Sequence, residues 1–257
     1  MLDAVFQKKR AAFIPYVMAG DPDVASTERI ISELGAAGAD LIELGIPYGD
    51  PLADGPVIAA AGQRALSQGT RIADVFGIVE RTRRNGAPPV VLFTYFNLVY
   101  QYGLERFARD AAGAGASGAI VPDVALEETA GVRAALATRG LQMPLLVAPS
   151  TPRERAARIA DAATGFVYVV SRLGVTGANS APNFAPLRAQ VATLREVTKK
   201  PLAVGFGVSR TEHVAEVAPI ADGVIVGSAL IAAYAGKDGD PAQHVRAFVD
   251  PLIAALQ

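Results

Sequence analysis

Eight short apolar segments, each followed by a stretch with helical spacing and a Gly- or Pro-marked turn, predict a (β/α)8 (TIM) barrel. Two further observations point the same way. The chain has 257 residues, the usual size for eight such units, and no linker or composition shift divides it. The strand segments are apolar throughout, as a parallel sheet covered on both faces requires. Residues 1–257 are therefore read as one barrel domain. An open doubly wound sheet usually has fewer strands and a GxGxxG turn after the first, and AGDP (19–22) is not that turn.

The first unit pairs a strand at 13–17 (FIPYV) with a helix at 25–37, whose Ile30, Ile31, Leu34 and Ala37 share one face. Ser26 or Thr27 is the expected N-cap, and Gly38 ends the helix. The second strand is 41–44, followed by a Gly-, Pro- and Asp-rich loop (45–56) and helices at 57–66 and 72–84. Residues 90–95 (VVLFTY) form the third strand. FNLVYQYG then reads as a polar, aromatic-rich loop before a helix that runs to Ala114. Strand–helix pairs follow at 118–121 with 126–138, 143–147 with 153–163, and 166–170 with 184–198. The last units are 202–204 with 211–218, and 223–226 with 230–234, before a final helix at 242–256.

Composition narrows the function. Apolar residues make up 51% of the chain, and 24 basic residues nearly balance 25 acidic ones, so no basic stripe suggests nucleic acid and no charge pattern suggests a membrane surface. There are no cysteines and only two histidines, His213 and His244, far apart in sequence; a His-based metal site or a Ser-His-Asp triad is not expected. No signal peptide and no membrane-spanning run is read, so the expected location is the cytoplasm.

Barrel active sites lie at the C-terminal ends of the strands, which sorts the polar residues. In the second strand Leu41 and Glu43 point one way, Ile42 and Leu44 the other. If Glu43 points inward, its apolar company raises its pKa and suits it to giving and taking a proton. The alternative is a structural Glu paired with a Lys or Arg from another strand. Asp50 and Asp54 sit in the following loop, where Asp-Pro and Asp-Gly are also ordinary turn dipeptides. Tyr168 alternates with Val167 and Val169; it is either a core aromatic or a hydroxyl aimed at the barrel mouth. Three late loops carry glycines just after strands: GVTGA (174–178), GFG (205–207) and GS (227–228). Glycines let a backbone approach an anion, and the loops after strands 7 and 8 hold phosphate in many barrels.

The stretch LIELGIPYGDPLADGP (41–56) resembles the signature of tryptophan synthase alpha subunits. FIPYVMAGDPD, LFTYFNLVYQYG, IVPDVALEE, LVAPSTP, YVVSRLGVTGA, VGFGVS and GVIVGSALI fit the same family in order, covering nearly the whole chain. The resemblance implies a retro-aldol lyase that cleaves indole-3-glycerol phosphate to indole and glyceraldehyde 3-phosphate, with no cofactor or metal in this chain. Glu43 then corresponds to the proton-moving Glu and Asp54 to the carboxylate that contacts the indole N–H. Tyr168 corresponds to a tyrosine lining the site, with Tyr16, Ile58 and Phe206 as further substrate contacts. Gly177, Gly207, Gly227 and Ser228 correspond to the phosphate site.

The family also implies a beta subunit carrying pyridoxal phosphate, an αββα heterotetramer and passage of indole between subunits. Residues 173–183 resemble the family's loop over the active site, and 47–60 the loop facing beta, with Pro47 and Asp50 on that face. Three positions depart from the pattern: Gly49 stands for Ser, Ala125 for Pro and Ser150 for Thr. A start shorter than the family's is expected to trim the first helix. A stand-alone indole-releasing lyase and a non-catalytic phosphate-binding barrel are the alternatives. An indole-glycerol-phosphate synthase is not favoured, since it needs a strand-end lysine and the strand segments hold none.

Overall fold

The structure is a computed structural model that describes residues 2–171, 184–205 and 207–256. Eight parallel strands form one sheet: β1 (Ala12–Met18), β2 (Ile42–Gly45), β3 (Val90–Phe93), β4 (Gly118–Ile120), β5 (Leu145–Val147), β6 (Val167–Val170), β7 (Leu202–Gly205) and β8 (Gly223–Val226). Their order is β4-β3-β2-β1-β8-β7-β6-β5, so the first strand pairs with the last. The ring closes between β4 and β5 through one parallel bridge, Gly118 to Gln142. Ala119 N–H donates to the Gln142 carbonyl at 2.9 Å, and Gln142 N–H to the Ser117 carbonyl at 3.1 Å. A Cβ on Gly118 would lie 2.2 Å from the Gln142 oxygen, so the seam requires glycine.

The helices cover the outside: α1 (Val24–Ala37), α2 (Pro56–Ser67), α3 (Ile72–Arg84), α4 (Phe96–Tyr102), α5 (Leu104–Ala114), α6 (Thr129–Ala137), α7 (Arg153–Ala162), α8 (Ala185–Val197), α9 (Thr211–Val217), α10 (Ser228–Tyr234) and α11 (Pro241–Ala254). Nearly every strand residue is buried, with the short apolar runs enclosed between barrel interior and helix layer. Leu2–Phe6 forms a 3-10 turn; Leu2 is fully buried, and the Phe6 ring packs 5.5 Å from Phe166 at the start of β6.

Two local expectations are corrected. The N-cap of α1 is Asp23, not Ser26 or Thr27: its carboxylate accepts from Ser26 N–H at 2.7 Å and from the Ser26 hydroxyl at 2.7 Å. FNLVYQY is helix α4, not loop. The N-terminal Phe96 N–H donates to the Asp123 carboxylate in the loop after β4, at 2.9 and 3.1 Å, and Gly103 ends the helix. A capping carboxylate supplied from the next βα loop leaves no trace in the local sequence. Residues 172–183 of the loop between β6 and α8, with the expected active-site loop at 173–183 and Gly177 in it, lie outside the described residues, as does Phe206.

Candidate active site

A cavity of about 610 Å³, counted out to its open mouth, sits at the C-terminal ends of the strands. The sequence-expected residues Tyr16, Glu43, Asp54, Ile58, Tyr168, Gly207, Gly227 and Ser228 all line it. Strand register explains much of this convergence. Tyr16 pairs with Glu43 across β1 and β2, and Glu43 with Val91 across β2 and β3. Side chains at paired positions point to the same face, so the inward set is shared.

Two glycines make the arrangement possible. A Cβ on Gly45 would lie 2.0 Å from the Tyr16 hydroxyl oxygen, and one on Gly205 would lie 2.4 Å from the Tyr168 hydroxyl oxygen. Each tyrosine therefore crosses toward the neighbouring strand through space that only glycine leaves open. The Tyr16 ring also meets Phe93 edge-on, with centroids 5.9 Å apart.

Glu43 is 1% exposed, and its Oε2 has no hydrogen-bond partner among the described residues. It takes part in no ion pair there, so no described Lys or Arg balances it as a structural partner would. A buried oxygen without a donor disfavours the charged form. Burial, then the nearby Asp54 carboxylate, push the Glu43 carboxyl up to about 8. Asp54 is half-buried at the start of α2, and burial pushes it to about 6, opposed by a hydrogen bond from Tyr95. The two acids thus divide at neutral pH: Glu43 holds its proton and Asp54 has largely lost it. That division permits acid and base roles in one cavity.

Tyr95 is the contact that sequence reading passed over. It follows β3, its hydroxyl bonds Asp54, and it accepts the Ala53 N–H at 3.1 Å. Its ring stacks on Tyr48 at 5.3 Å, and Asn97 Nδ2 donates to the Tyr48 hydroxyl at 2.9 Å. Position at a strand's C-terminal end was the one available signal. Phe93 and Ile225, which also line the cavity, carried no signal beyond apolar alternation.

The late strands supply the opposite wall. Gly207 has φ +91°, a conformation that favours glycine, and Gly227–Ser228 opens α10. The outward loop differs in one detail from expectation. Pro47 is buried at the loop root, directly after the barrel strand, while Asp50 is exposed. The outward surface is carried by Asp50 and by Leu52, which is 81% exposed. A Cβ on Gly49 would meet nothing within 4 Å, so the missing serine is not excluded by crowding.

Fold and cavity together define a (β/α)8 barrel of the enzyme type, with a carboxylate-lined pocket at the C-terminal ends of its strands. The family model for the tryptophan synthase alpha chain matches residues 2–251. Among similar proteins, the tryptophan synthase alpha chain of Gloeobacter violaceus is 48% identical over 229 residues, covering 89% of this chain and 83% of that one. The one from a Picosynechococcus species is 46% identical over 252 residues, covering 97% and 95%. Tryptophan synthase subunit alpha from Legionella pneumophila superposes with a TM-score of 0.90 at 37% identity, covering 99% of this chain and 97% of that structure. The chain belongs to the tryptophan synthase alpha chain family.

Proposed function

We propose that this chain cleaves indole-3-glycerol phosphate to indole and glyceraldehyde 3-phosphate, with Glu43 and Asp54 as the catalytic pair. The chain is a lyase of tryptophan biosynthesis, as its family membership has it. The observation that carries the residue assignment is Glu43: a buried carboxyl whose Oε2 has no partner among the described residues, beside a second, more acidic carboxyl in one cavity.

The chemistry follows from those proton affinities. Glu43 delivers its proton to indole C3, and the ring becomes an indolenine. The C3–C1′ bond then breaks and its electron pair returns to the ring. The hydroxyl on C1′ gives up its proton to Glu43 as the aldehyde forms, so the acid is regenerated. Asp54, ionised and held by Tyr95, accepts the indole N–H and stabilises positive charge on the indolenine. Gly207, Gly227 and Ser228, together with Gly177, bind the phosphate. Anchoring that far end orients the reacting bond. Tyr16, Ile58, Tyr168 and Phe206 enclose the substrate between the two ends.

The partner is a tryptophan synthase beta subunit, in an αββα assembly in which pyridoxal phosphate belongs to beta. The face around the cavity mouth supports this reading. Leu52, Tyr100 and Phe96 are the exposed large apolar side chains of the described residues, at 81%, 69% and 36%. Asp50 lies on the same loop as Leu52, and Phe96 and Tyr100 have ring centroids 6.1 Å apart. Exposed apolar groups gathered on one face mark a protein contact. No described helix is long and apolar enough to cross a membrane, and the proposed location is the cytoplasm. Residues 1–257 are proposed to act as one domain.

The test is direct. Supplied with indole-3-glycerol phosphate, the protein should release indole, faster with beta present, and Glu43→Gln should abolish release while retaining phosphate-ligand binding. A Gln variant with substantial turnover would remove Glu43 from this role.

A further inference from the structure

Outside the cavity one buried charge ties three of its walls together. Asp21, in the loop after β1, is fully buried. Its carboxylate accepts two hydrogen bonds from Arg64 on α2, Nε to Oδ1 at 2.7 Å and Nη2 to Oδ2 at 2.8 Å. It also accepts the Tyr234 hydroxyl, from the last residue of α10, at 2.8 Å. Such two-pronged pairing fixes direction as well as distance.

Each element involved begins or passes at the substrate cavity. β1 carries Tyr16, α2 follows Asp54 and carries Ile58, and α10 opens at Gly227–Ser228. They also touch there: a Cβ on Gly227 would lie 3.4 Å from Tyr16 Cβ and 3.7 Å from Ile58 Cδ1. The carboxylate therefore holds the far ends of two helices whose near ends face the substrate. A tilt of either helix changes the gap between Asp54 and Ser228.

We propose that Asp21, Arg64 and Tyr234 are positioning residues that set the spacing between the indole end and the phosphate end of the site. The proposal rests on the reaction assigned above. It has a distinctive consequence. A ligand that spans both ends senses the spacing, whereas a ligand that fills only one end does not.

The experiment uses Tyr234→Phe, which removes one hydroxyl from the carboxylate, and Arg64→Lys, which keeps the charge but loses the fork. With beta present, KM for indole-3-glycerol phosphate should rise roughly five- to tenfold in each variant. Indole alone and inorganic phosphate alone, measured by calorimetry, should bind within about twofold of wild type. An unchanged KM in both variants overturns the proposal. So does equal weakening of all three ligands, which marks general damage; the thermal midpoint of each variant reports that separately. Wild-type protein that releases no indole would instead refute the reaction on which the proposal stands.

Discussion

Replacing Glu43 with Gln should change how folding stability depends on pH, and the size of the change follows from burial. The folded protein keeps the Glu43 proton up to about 8, whereas an unfolded chain releases it near 4.5. Between those values the folded state binds one proton more than the unfolded state, so stability falls as pH rises. The contribution is fully present below pH 4.5 and is lost through pH 8. At about 1.4 kcal/mol per pH unit, the interval amounts to roughly 5 kcal/mol. Asp54 has its own window, from 3.8 to about 6, but it is present in both proteins and cancels in the comparison. Gln cannot ionise, so Glu43→Gln should gain on the wild type steadily from pH 5 to pH 8 and level off above it. Urea unfolding of both proteins at intervals from pH 5 to pH 9 measures this. A stability difference that stays flat across that range would refute the claim that Glu43 is a desolvated acid that keeps its proton at neutral pH.

Three further outcomes are expected. The pH profile of kcat/KM should be bell-shaped, rising near pH 6 as Asp54 ionises and falling near pH 8 as Glu43 loses its proton; steady-state indole release across pH checks both limbs. Tyr95→Phe removes the hydrogen bond that opposes the rise of the Asp54 carboxyl, so the acidic limb should move to higher pH. Its kcat/KM should be lowered by roughly two- to tenfold at pH 6 and should recover toward pH 8. Gly45→Ala places a methyl group 2.0 Å from the Tyr16 hydroxyl oxygen. It should cost about 1–3 kcal/mol of stability in denaturant titration and lower turnover, because Tyr16 stands beside Glu43.

The strands and the inward set were legible because they rest on local facts. Apolar runs bounded by turns located all eight strands, and alternation separated Glu43 from Ile42 and Leu44 and Tyr168 from Val167 and Val169, leaving open which set faced inward. The glycines after β7 and β8 were legible for a similar reason, since a backbone that must approach a ligand or turn sharply leaves glycine in the chain. What could not be read is what depends on distant partners. Helix α4 was hidden because its first N–H is capped by Asp123 from another loop. Tyr95 was hidden because its meaning lies in its bond to Asp54. That no described Lys or Arg pairs with Glu43 is likewise a property of the packed strands together. Asp21 reads locally as a turn residue before proline, and only the packed helices show it holding Arg64 and Tyr234.

The seam at Gly118 and Gln142 also divides labour within the barrel. β1 to β4, with their loops and helices, carry Glu43, Asp54 and Tyr95, the groups proposed to handle protons, together with Tyr16 and Ile58. β5 to β8 and their loops carry Tyr168 and the groups proposed to grip the far end of the substrate, Gly207, Gly227 and Ser228. The two halves meet at β1–β8 by a full ladder and at the seam by a single bridge. The proposed phosphate grip and the proposed bond-breaking chemistry thus lie in different stretches of one chain. Diversifying the loops after β7 and β8 alone is the economical way to change how the far end is held while leaving in place the residues proposed to move the proton.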